Sequence, residues 1–398
     1  MSADHSSQNL QQQNAPPPSI PKWRKALYST FVVIFLFALP ELGLRLAGLP
    51  SEPSKPQLGS REFADWLTTL SLNDFRSGIL YQEDRELLWR LQPDNTVNTI
   101  NLHRGPDGEN QPVRITINKA GHRGHPCDSS ENDASLNILC MGDSEFFGYP
   151  LDDSEVMPVV LERELSKAQG DHGVQVINGG CQGYSSAQGW KWYQQQFANY
   201  DYDWLLLCYL NNDAWRNPVS DQVMLEQASA PSAWLGQMAR HSNLLQWASS
   251  LSKIPEEDYV RRVSLDEYKA NYGKFIAAAR QRSARVLLID YCFPEVFPGY
   301  EPYSNALREI ATEHEVAYFH VRQSLQPVFE DENGLDPYLP LLSKVARRWG
   351  SATLAEAPHL CFYAEIDEPI HLNEVGNTWL VEQLLDYFLS QETSTTPN

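Results

Sequence analysis

The sequence predicts an α/β protein: a three-layer α/β/α sandwich around a central parallel sheet, preceded by one transmembrane helix. Two patterns predict it. From about residue 113, short apolar runs alternate with helical patterns, and near the amino terminus a basic cluster precedes a long apolar run. The chain has 398 residues, of which 42% are hydrophobic and 21% charged, as is ordinary for globular proteins. A chain of this length can bury a large core.

Five short runs rich in Leu, Val, Ile and aromatic residues predict strands that are covered on both faces, as in a parallel sheet. Helical patterns separate them, and Asn373 is a suitable N-cap for a last helix that runs to about residue 390. This alternation predicts right-handed crossovers, with the chemistry at the carboxyl ends of the strands. The predicted strands are Leu136–Met141, Val174–Asn178, Trp204–Leu210, Arg285–Tyr291 and Val316–His320, and the other predicted helices are Ser154–Ala168, Ser186–Asn199, Ser264–Arg282 and Ser304–His314.

The amino-terminal segment is typical of a membrane anchor. Residues 1–25 form a polar, Pro-rich tail that ends in a basic cluster, and residues 26–49 are mostly apolar. Glu41 and Arg45 stand four apart, so they can pair on one helix face. We expect the tail to be disordered because of its composition. The basic cluster predicts that the tail lies in the cytoplasm and the remaining chain on the other side of the membrane. A cleaved signal peptide and a buried core helix are the alternatives, although no small-x-small cleavage site is evident.

The remaining organisation follows from composition. We expect residues 50–112 to hold a Pro/Ser-rich linker and a small irregular subdomain, residues 113–390 the main domain, and residues 391–398 a disordered tail. The net charge of −20 disfavours nucleic acid as a partner. The six cysteines include no CxxC pair. Cys140 and Cys208 lie in apolar runs, which favours buried thiols and leaves a disulfide among the others open.

Candidate functional residues follow the first three predicted strands. The first strand leads into Gly142-Asp143-Ser144, where a serine beside free backbone N–H groups can act as a nucleophile. After the second strand, Gly183 is a candidate backbone donor to an oxyanion, and after the third strand, Asn212 can supply a side-chain amide. Taken singly, each of these is as readily a turn residue.

A histidine near the carboxyl terminus completes the set. His371 stands just ahead of the last helix and can accept a proton from a serine hydroxyl. Glu368 and Asp367, three and four residues upstream, are the candidate carboxylates that would orient its imidazole, with Glu368 preferred for its spacing. On its own, His371 is as readily a surface or core histidine.

These four segments, in this order, resemble the signature blocks of the SGNH/GDSL hydrolases. The stretches GDSEFFGYPLDDSE (142–155) and VINGGCQGYSSAQG (176–189) look like the membrane-tethered bacterial members. The resemblance implies a flavodoxin-like fold, Ser144 as nucleophile, His371 as base, an oxyanion hole of Ser144, Gly183 and Asn212, and no metal or other cofactor. It also implies a bacterial inner-membrane location with the catalytic domain on the periplasmic side. The sequence departs from the family pattern in two places: Leu210 and Asn211 precede Asn212 where the family has Gly-x, and Glu368 stands where the family carries aspartate.

The sequence indicates the substrate less clearly than it indicates the reaction. Aromatic residues flank the blocks, and we expect Tyr184 and Trp215, together with Trp190 and Trp192, to shape a pocket. Residues 215–262 would overhang the site, either as a sugar-stacking surface or as a helical lid packed by its own apolar residues. His122 and His125 have HxxH spacing, but they lack further ligands at the spacing of a zinc site.

The favoured function is a serine esterase or O-acyltransferase that acts on ester groups, O-acetyl above all, of extracytoplasmic carbohydrate. A hydrolase of lipids or small esters is an alternative, because the chain carries a membrane segment. A catalytically weak, glycan-binding module of an export complex is another, because the acid block departs from the family pattern.

Overall fold

The computed structural model describes residues 20–49, 80–101, 103–124, 135–169, 173–230, 242–250, 254–291, 298–331, 333–365 and 370–392. Its strands are β1 (Tyr81–Asp84), β2 (Leu88–Leu91), β3 (Asn95–Asn101), β4 (Gln111–Ile117), β5 (Leu136–Gly142), β6 (Val174–Asn178), β7 (Trp204–Cys208), β8 (Arg216–Asn217), β9 (Val260–Arg261), β10 (Arg285–Asp290) and β11 (Ala317–His320). Its helices are α1 (Lys22–Leu46), α2 (Ser144–Phe147), α3 (Met157–Gln169), α4 (Ser186–Gln196), α5 (Asn211–Ala214), α6 (Asp221–Ser229), α7 (Asn243–Ser250), α8 (Leu265–Gln281), α9 (Glu301–Glu313), α10 (Val321–Glu330), α11 (Leu339–Trp349), α12 (Ser351–Glu356) and α13 (Glu374–Glu392).

Five parallel strands form the central sheet, in the order β11-β10-β7-β5-β6. These are the five strands that the sequence predicts, so the α/β fold class is confirmed. β5 lies inside the sheet, between β6 and β7, and its residues from Ile138 to Gly142 are buried. The next strand in the sequence, β6, lies on one side of β5, and the following strand, β7, lies on the other. The end of β5 is therefore at the switch point of the sheet, where such folds bind their ligands.

Two buried clusters of apolar side chains cover the two faces of the sheet. One includes Tyr193 of α4 and Phe275 of α8 with Leu205 and Leu207 of β7. The other includes Leu161 of α3 with Leu206 of β7 and side chains of α10, α11 and α13. Because neighbouring side chains of a strand point to opposite faces, β7 contributes to both clusters. The result is the three-layer sandwich expected from the sequence.

The element boundaries differ from the predictions in explainable ways. β7 ends at Cys208, because the next two residues leave the sheet and lead into α5. α9 begins at Glu301 rather than Ser304, since Pro302 suits the first turn of a helix. α8 begins after Ser264, whose hydroxyl accepts a hydrogen bond from the Glu267 backbone while the Glu267 carboxylate binds Ser264.

The part of the expected irregular subdomain that the structure describes consists of two antiparallel hairpins, β1–β2 and β3–β4. In β4, buried and exposed residues alternate over most of the strand, as in a hairpin with one covered face. β4 extends to Ile117, past the predicted domain start at residue 113. Gln111 on β4 ties the hairpin to α11 through its side-chain amide, which donates to the Lys344 carbonyl over 2.9 Å.

The apolar helix α1 belongs to a separate unit together with α7. It has 25 residues and is long and apolar enough to cross a membrane. None of its described residues is buried. It spans Lys22–Leu46, so it begins and ends a few residues earlier than the predicted anchor at residues 26–49. The predicted tails at 1–19 and 393–398, and most of the linker, lie outside the described residues.

Four cysteines lie in the described part of the chain: Cys140, Cys181, Cys208 and Cys361. All four are buried free thiols. For these residues the sequence interpretation holds, while Cys127 and Cys292 lie outside the described residues.

Candidate active site

Ser144 stands where β5 turns into the short helix α2. Asp143 caps this helix by accepting a hydrogen bond from the Glu145 backbone over 3.2 Å. Gly142 allows the tight turn, because a Cβ there would lie 2.7 Å from a Phe146 ring carbon and 2.8 Å from the Cys208 carbonyl oxygen. The turn leaves the Ser144 hydroxyl half-buried at the carboxyl edge of the sheet.

His371 reaches the same edge from the opposite end of the sequence. Its Nε2 lies 2.8 Å from the Ser144 Oγ. Backbone bonds fix the loop on both sides: the Ala364 N–H donates to the His371 carbonyl over 2.8 Å, and the Asn373 N–H donates to the Phe362 carbonyl over 2.9 Å. The fold therefore brings together the two residues that the sequence singled out for proton transfer, 227 positions apart.

The carboxylate on the other side of the imidazole belongs to Glu365, which the sequence analysis missed. His371 Nδ1 donates to Glu365 Oε1, and the His371 backbone N–H donates to Oε2 over 3.1 Å. The expected acids, Glu368 and Asp367, lie outside the described residues. Glu365 stands six positions before His371, a spacing that no local pattern indicates. Tyr363 pairs with Leu372 in an isolated antiparallel bridge, two residues before Glu365 and one after His371.

The electrostatics of His371 reflect its neighbours. Burial of the imidazole favours its neutral form, but the nearby carboxyl groups, Glu365 first, outweigh burial and raise the pKa of His371 above its usual value. The arrangement can accept the Ser144 proton on Nε2 and hold the resulting imidazolium against Glu365.

Gly183 and Asn212 are the other two residues that the sequence predicts as donors to an oxyanion. The Asn212 side-chain amide is buried and donates to Asp143 Oδ2 over 2.7 Å, which ties it to the turn that carries Ser144. Gly183 has a φ of 80°, in the left-handed region that favours glycine. No acceptor for the N–H of Ser144 or Gly183 is found among the described residues, so both can donate to a substrate oxygen.

Two buried arginines support the site. Arg123 donates to the carbonyls of Phe147 and Gly148, at 2.9 and 3.0 Å, and so holds the loop after α2. Arg262 donates to the Gly183 carbonyl over 2.9 Å and pairs with Asp221 over 2.8 Å. The side chains of Arg262 and Asp221 are fully buried. Neither arginine was among the residues that the sequence analysis singled out.

Glu145, next to the nucleophile, is unusual for a site of this kind. It is 6% exposed, and its Oε1 has no hydrogen-bond partner among the described residues. Burial raises the pKa of Glu145 well above its ordinary value of 4.5 and so favours the neutral form of its carboxyl group.

The aromatic residues that were predicted to shape a pocket differ in their exposure. Tyr184 is fully buried, and its hydroxyl donates to the Trp89 carbonyl over 2.6 Å. Its expected place in a substrate pocket is therefore incorrect. Trp192 is also buried, and Trp190 stacks on Tyr193 within the core. Trp190 and Trp192 point inward because their helix, α4, packs on the sheet, whereas Tyr184 lies just before that helix.

Trp215 differs from them in being 37% exposed. It directly follows α5, and its backbone N–H donates to the Asn212 carbonyl over 3.3 Å. An exposed indole so near Asn212 in the chain is available to a ligand.

Tyr149 contacts the other side of the imidazole. Its ring packs edge-on against the His371 ring with centroids 5.3 Å apart, and its hydroxyl lies 3.0 Å from His103 Nε2. His103 follows β3, so the hairpin region contributes to the surroundings of the site. Burial lowers the pKa of His103, which favours a neutral ring there.

The HxxH pair does not assemble a metal centre in the described structure. His122 is buried, its Nδ1 lies 2.8 Å from the Asn118 Nδ2, and burial lowers its pKa to about 4. His125 lies outside the described residues. Across the ranges that the structure describes, no three His, Cys, Asp or Glu side chains group as a metal site.

A parallel α/β sheet with serine, histidine and carboxylate aligned at its carboxyl edge is the arrangement of a serine hydrolase. The chain belongs to the GDSL-like lipase/acylhydrolase family, whose model matches residues 140–379, more than half of the sequence. It is thus an SGNH/GDSL hydrolase of ester bonds. No curated protein matches the chain.

Solved structures to which the chain is similar include a lipase/acylhydrolase from Enterococcus faecalis. The sequence identity is 14%, the match covers 64% of this chain and 96% of that one, and the TM-score is 0.38. A psychrotrophic esterase from Pseudoalteromonas has 11% identity, with coverage of 65% and 100% and a TM-score of 0.38. An acetyl-xylooligosaccharide esterase from Geobacillus has 15% identity, with coverage of 64% and 94% and a TM-score of 0.40.

Proposed function

We propose that Ser144, His371 and Glu365 form a catalytic triad that hydrolyses or transfers O-acyl groups, O-acetyl above all, on extracytoplasmic carbohydrate. The observation that carries this proposal is the continuous line from the Ser144 hydroxyl through the imidazole to the Glu365 carboxylate, with 2.8 Å between Oγ and Nε2. The alternative of a catalytically weak module loses its basis, because a carboxylate does occupy the Nδ1 side.

In this mechanism, His371 Nε2 accepts the Ser144 proton while the serine oxygen attacks the ester carbonyl. The backbone N–H groups of Ser144 and Gly183 and the Asn212 amide donate to the oxyanion. The imidazolium then returns its proton to the departing alcohol and leaves an acyl-serine. Water, or a sugar hydroxyl, attacks this acyl group with His371 again accepting the proton.

Support for a carbohydrate substrate comes from Trp215. Its indole is exposed, it directly follows α5, and it gives the flat apolar face on which a sugar ring can stack. Support for an extracytoplasmic substrate comes from α1, which we propose remains as an uncleaved anchor with the catalytic domain on the periplasmic side of a bacterial inner membrane. The same helix favours lipid or small esters as a second candidate class.

The catalytic proposal is tested with the purified full chain in detergent and p-nitrophenyl acetate. We expect Ser144→Ala to lose roughly 10³-fold or more in kcat/KM. Ser343→Ala, which changes an exposed serine on α11, is the matched control and should keep wild-type turnover. Equal turnover by the Ser144 variant and wild type would overturn the proposal.

The substrate class is tested with two ester series: acetylated oligosaccharides, and p-nitrophenyl esters of increasing acyl length. We expect acetylated sugars and the shortest acyl chain to be preferred, and Trp215→Ala to raise KM for the sugars alone. Trp247→Ala, which removes an exposed tryptophan of the separate α1–α7 unit, is the control. A preference for long acyl chains would support the lipid alternative instead. Adding unacetylated glycan and looking for acetylated product separates transfer from hydrolysis.

The location is tested by fusing, after Asn398, a reporter enzyme that is active only in the periplasm. Activity of the reporter, with the chain retained in membranes at alkaline pH, is the expected result. Release of the chain into the soluble fraction would contradict anchoring.

A further inference from the structure

A carboxylate of the apolar helix α1 binds the start of α7, about two hundred residues later in the chain. The Glu41 Oε2 accepts hydrogen bonds from the Ser242 hydroxyl over 2.8 Å and from the Leu244 N–H over 2.9 Å. Its Oε1 accepts one from the Asn243 N–H over 3.0 Å. The Asn243 side-chain amide adds a further tie, to the Leu49 carbonyl over 2.8 Å.

These bonds account for the acidic residue in the mostly apolar helix α1. An ionised carboxylate near lipid is costly unless charged and polar partners surround it. Arg45 supplies one partner, with its Nε 2.7 Å from Oε1, as the spacing in the sequence predicts. α7 supplies the others, because the free N–H groups and positive dipole end of a helix amino terminus favour a carboxylate.

α7 also exposes apolar side chains. Leu245 and Trp247 are each 41% exposed, and Ala248 is exposed as well. The helix, of sequence NLLQWASS, contains no charged residue. Tryptophan is enriched where proteins meet the boundary between lipid headgroups and acyl chains. An uncharged helix with an exposed indole, fixed to a membrane-spanning helix, suits that boundary.

We propose that residues 242–250 form a second membrane-contacting element, which Glu41 docks onto the anchor and whose partner is the interfacial region of a phospholipid bilayer. This proposal rests on the proposed anchoring of the chain by α1. It has two consequences. α1 must stay attached after export, because its loss would leave α7 without the Glu41 carboxylate. In addition, residues 242–250, which lie in the sequence between Asn212 and α8, contact lipid separately from α1.

The test uses the full chain in phospholipid nanodiscs. Hydrogen–deuterium exchange is measured at the Asn243 and Leu244 amides in wild type, Glu41→Gln and Glu41→Leu. We expect about tenfold faster exchange in Glu41→Leu and a smaller change in Glu41→Gln, which keeps one acceptor oxygen. Glu309→Gln, a change of an exposed acid on α9, should match wild type and serves as the control.

Lipid contact is measured with a fluorescent amino acid at position 245 and lipids brominated near the headgroup. Quenching is expected in the wild-type background and is lost in Glu41→Leu. Unchanged exchange and unchanged quenching in Glu41→Leu, in a chain that remains membrane-bound, would overturn the docking while anchoring stands. An intact mass lacking residues 1–46, or release from the membrane, would overturn both. The esterase assay tests the catalytic proposal independently of the docking and of the anchoring.

Discussion

Replacement of Glu365 by glutamine removes one oxygen from the acid side of the site. Each oxygen of Glu365 serves one donor of His371: Oε1 accepts from Nδ1, and Oε2 accepts from the backbone N–H over 3.1 Å. Glutamine has a single oxygen, so one of these donors must face an NH₂ group instead. Because the Glu365 side chain is only 14% exposed, water compensates little.

The cost has two parts. An unsatisfied donor costs about 1–3 kcal/mol, and the lost charge-assisted bond to the imidazolium costs about as much again. A total of about 4 kcal/mol in the transition state corresponds to roughly a 10³-fold loss of kcat, at about 1.4 kcal/mol for each factor of ten.

The pH profile gives a second readout. His371 must be neutral to accept a proton, and the carboxyl groups raise the pKa of His371 above its usual value. The wild-type kcat/KM should therefore rise with pH and level off on the alkaline side of 6.5. In Glu365→Gln the carboxylate is gone, so the residual activity should rise at lower pH.

The assay compares Glu365→Gln with Glu368→Gln and Asp367→Asn, using p-nitrophenyl acetate from pH 5 to pH 10. The two comparison variants should keep activity close to wild type. A loss confined to Glu368→Gln or Asp367→Asn, with Glu365→Gln fully active and unshifted in pH, would refute the assignment of the acid.

Three further predictions concern the surroundings of the site. Gly183→Ala places a side chain at a φ of 80°, so we expect it to displace the N–H donor and lower kcat by roughly 10²-fold or more, with little change in KM. Equal kinetics would exclude Gly183 as a donor. Arg262→Met leaves the buried Asp221 without its partner and should lower the free energy of unfolding by about 3–5 kcal/mol, as read by urea denaturation; the double variant with Asp221→Asn should recover part of the loss. Glu145→Gln should raise Tm by an amount that grows with pH above 4.5, because burial raises the pKa of Glu145 and the native state loses stability as pH rises toward that pKa. A Tm difference independent of pH would contradict this.

The sequence alone predicted the five strands of the central sheet and the helices between them, because runs buried on both faces and amphipathic helices leave local periodic patterns. It also singled out Ser144 and His371, because they stand in segments whose order resembles the signature blocks of the SGNH/GDSL hydrolases. The boundaries moved by a few residues where sheet pairing or a proline decided them.

The tertiary structure alone decided how side chains from distant segments meet. Glu365 binds His371 from six positions upstream, and no spacing rule predicts that contact. Tyr184 turns inward, where its hydroxyl donates to the Trp89 carbonyl from a distant hairpin, although its place beside Gly183 suggested a pocket. Arg262 reaches Gly183, and Glu41 reaches α7, across large separations in sequence. Periodicity records which face of an element is buried, whereas contacts between loops depend on the position of the whole chain.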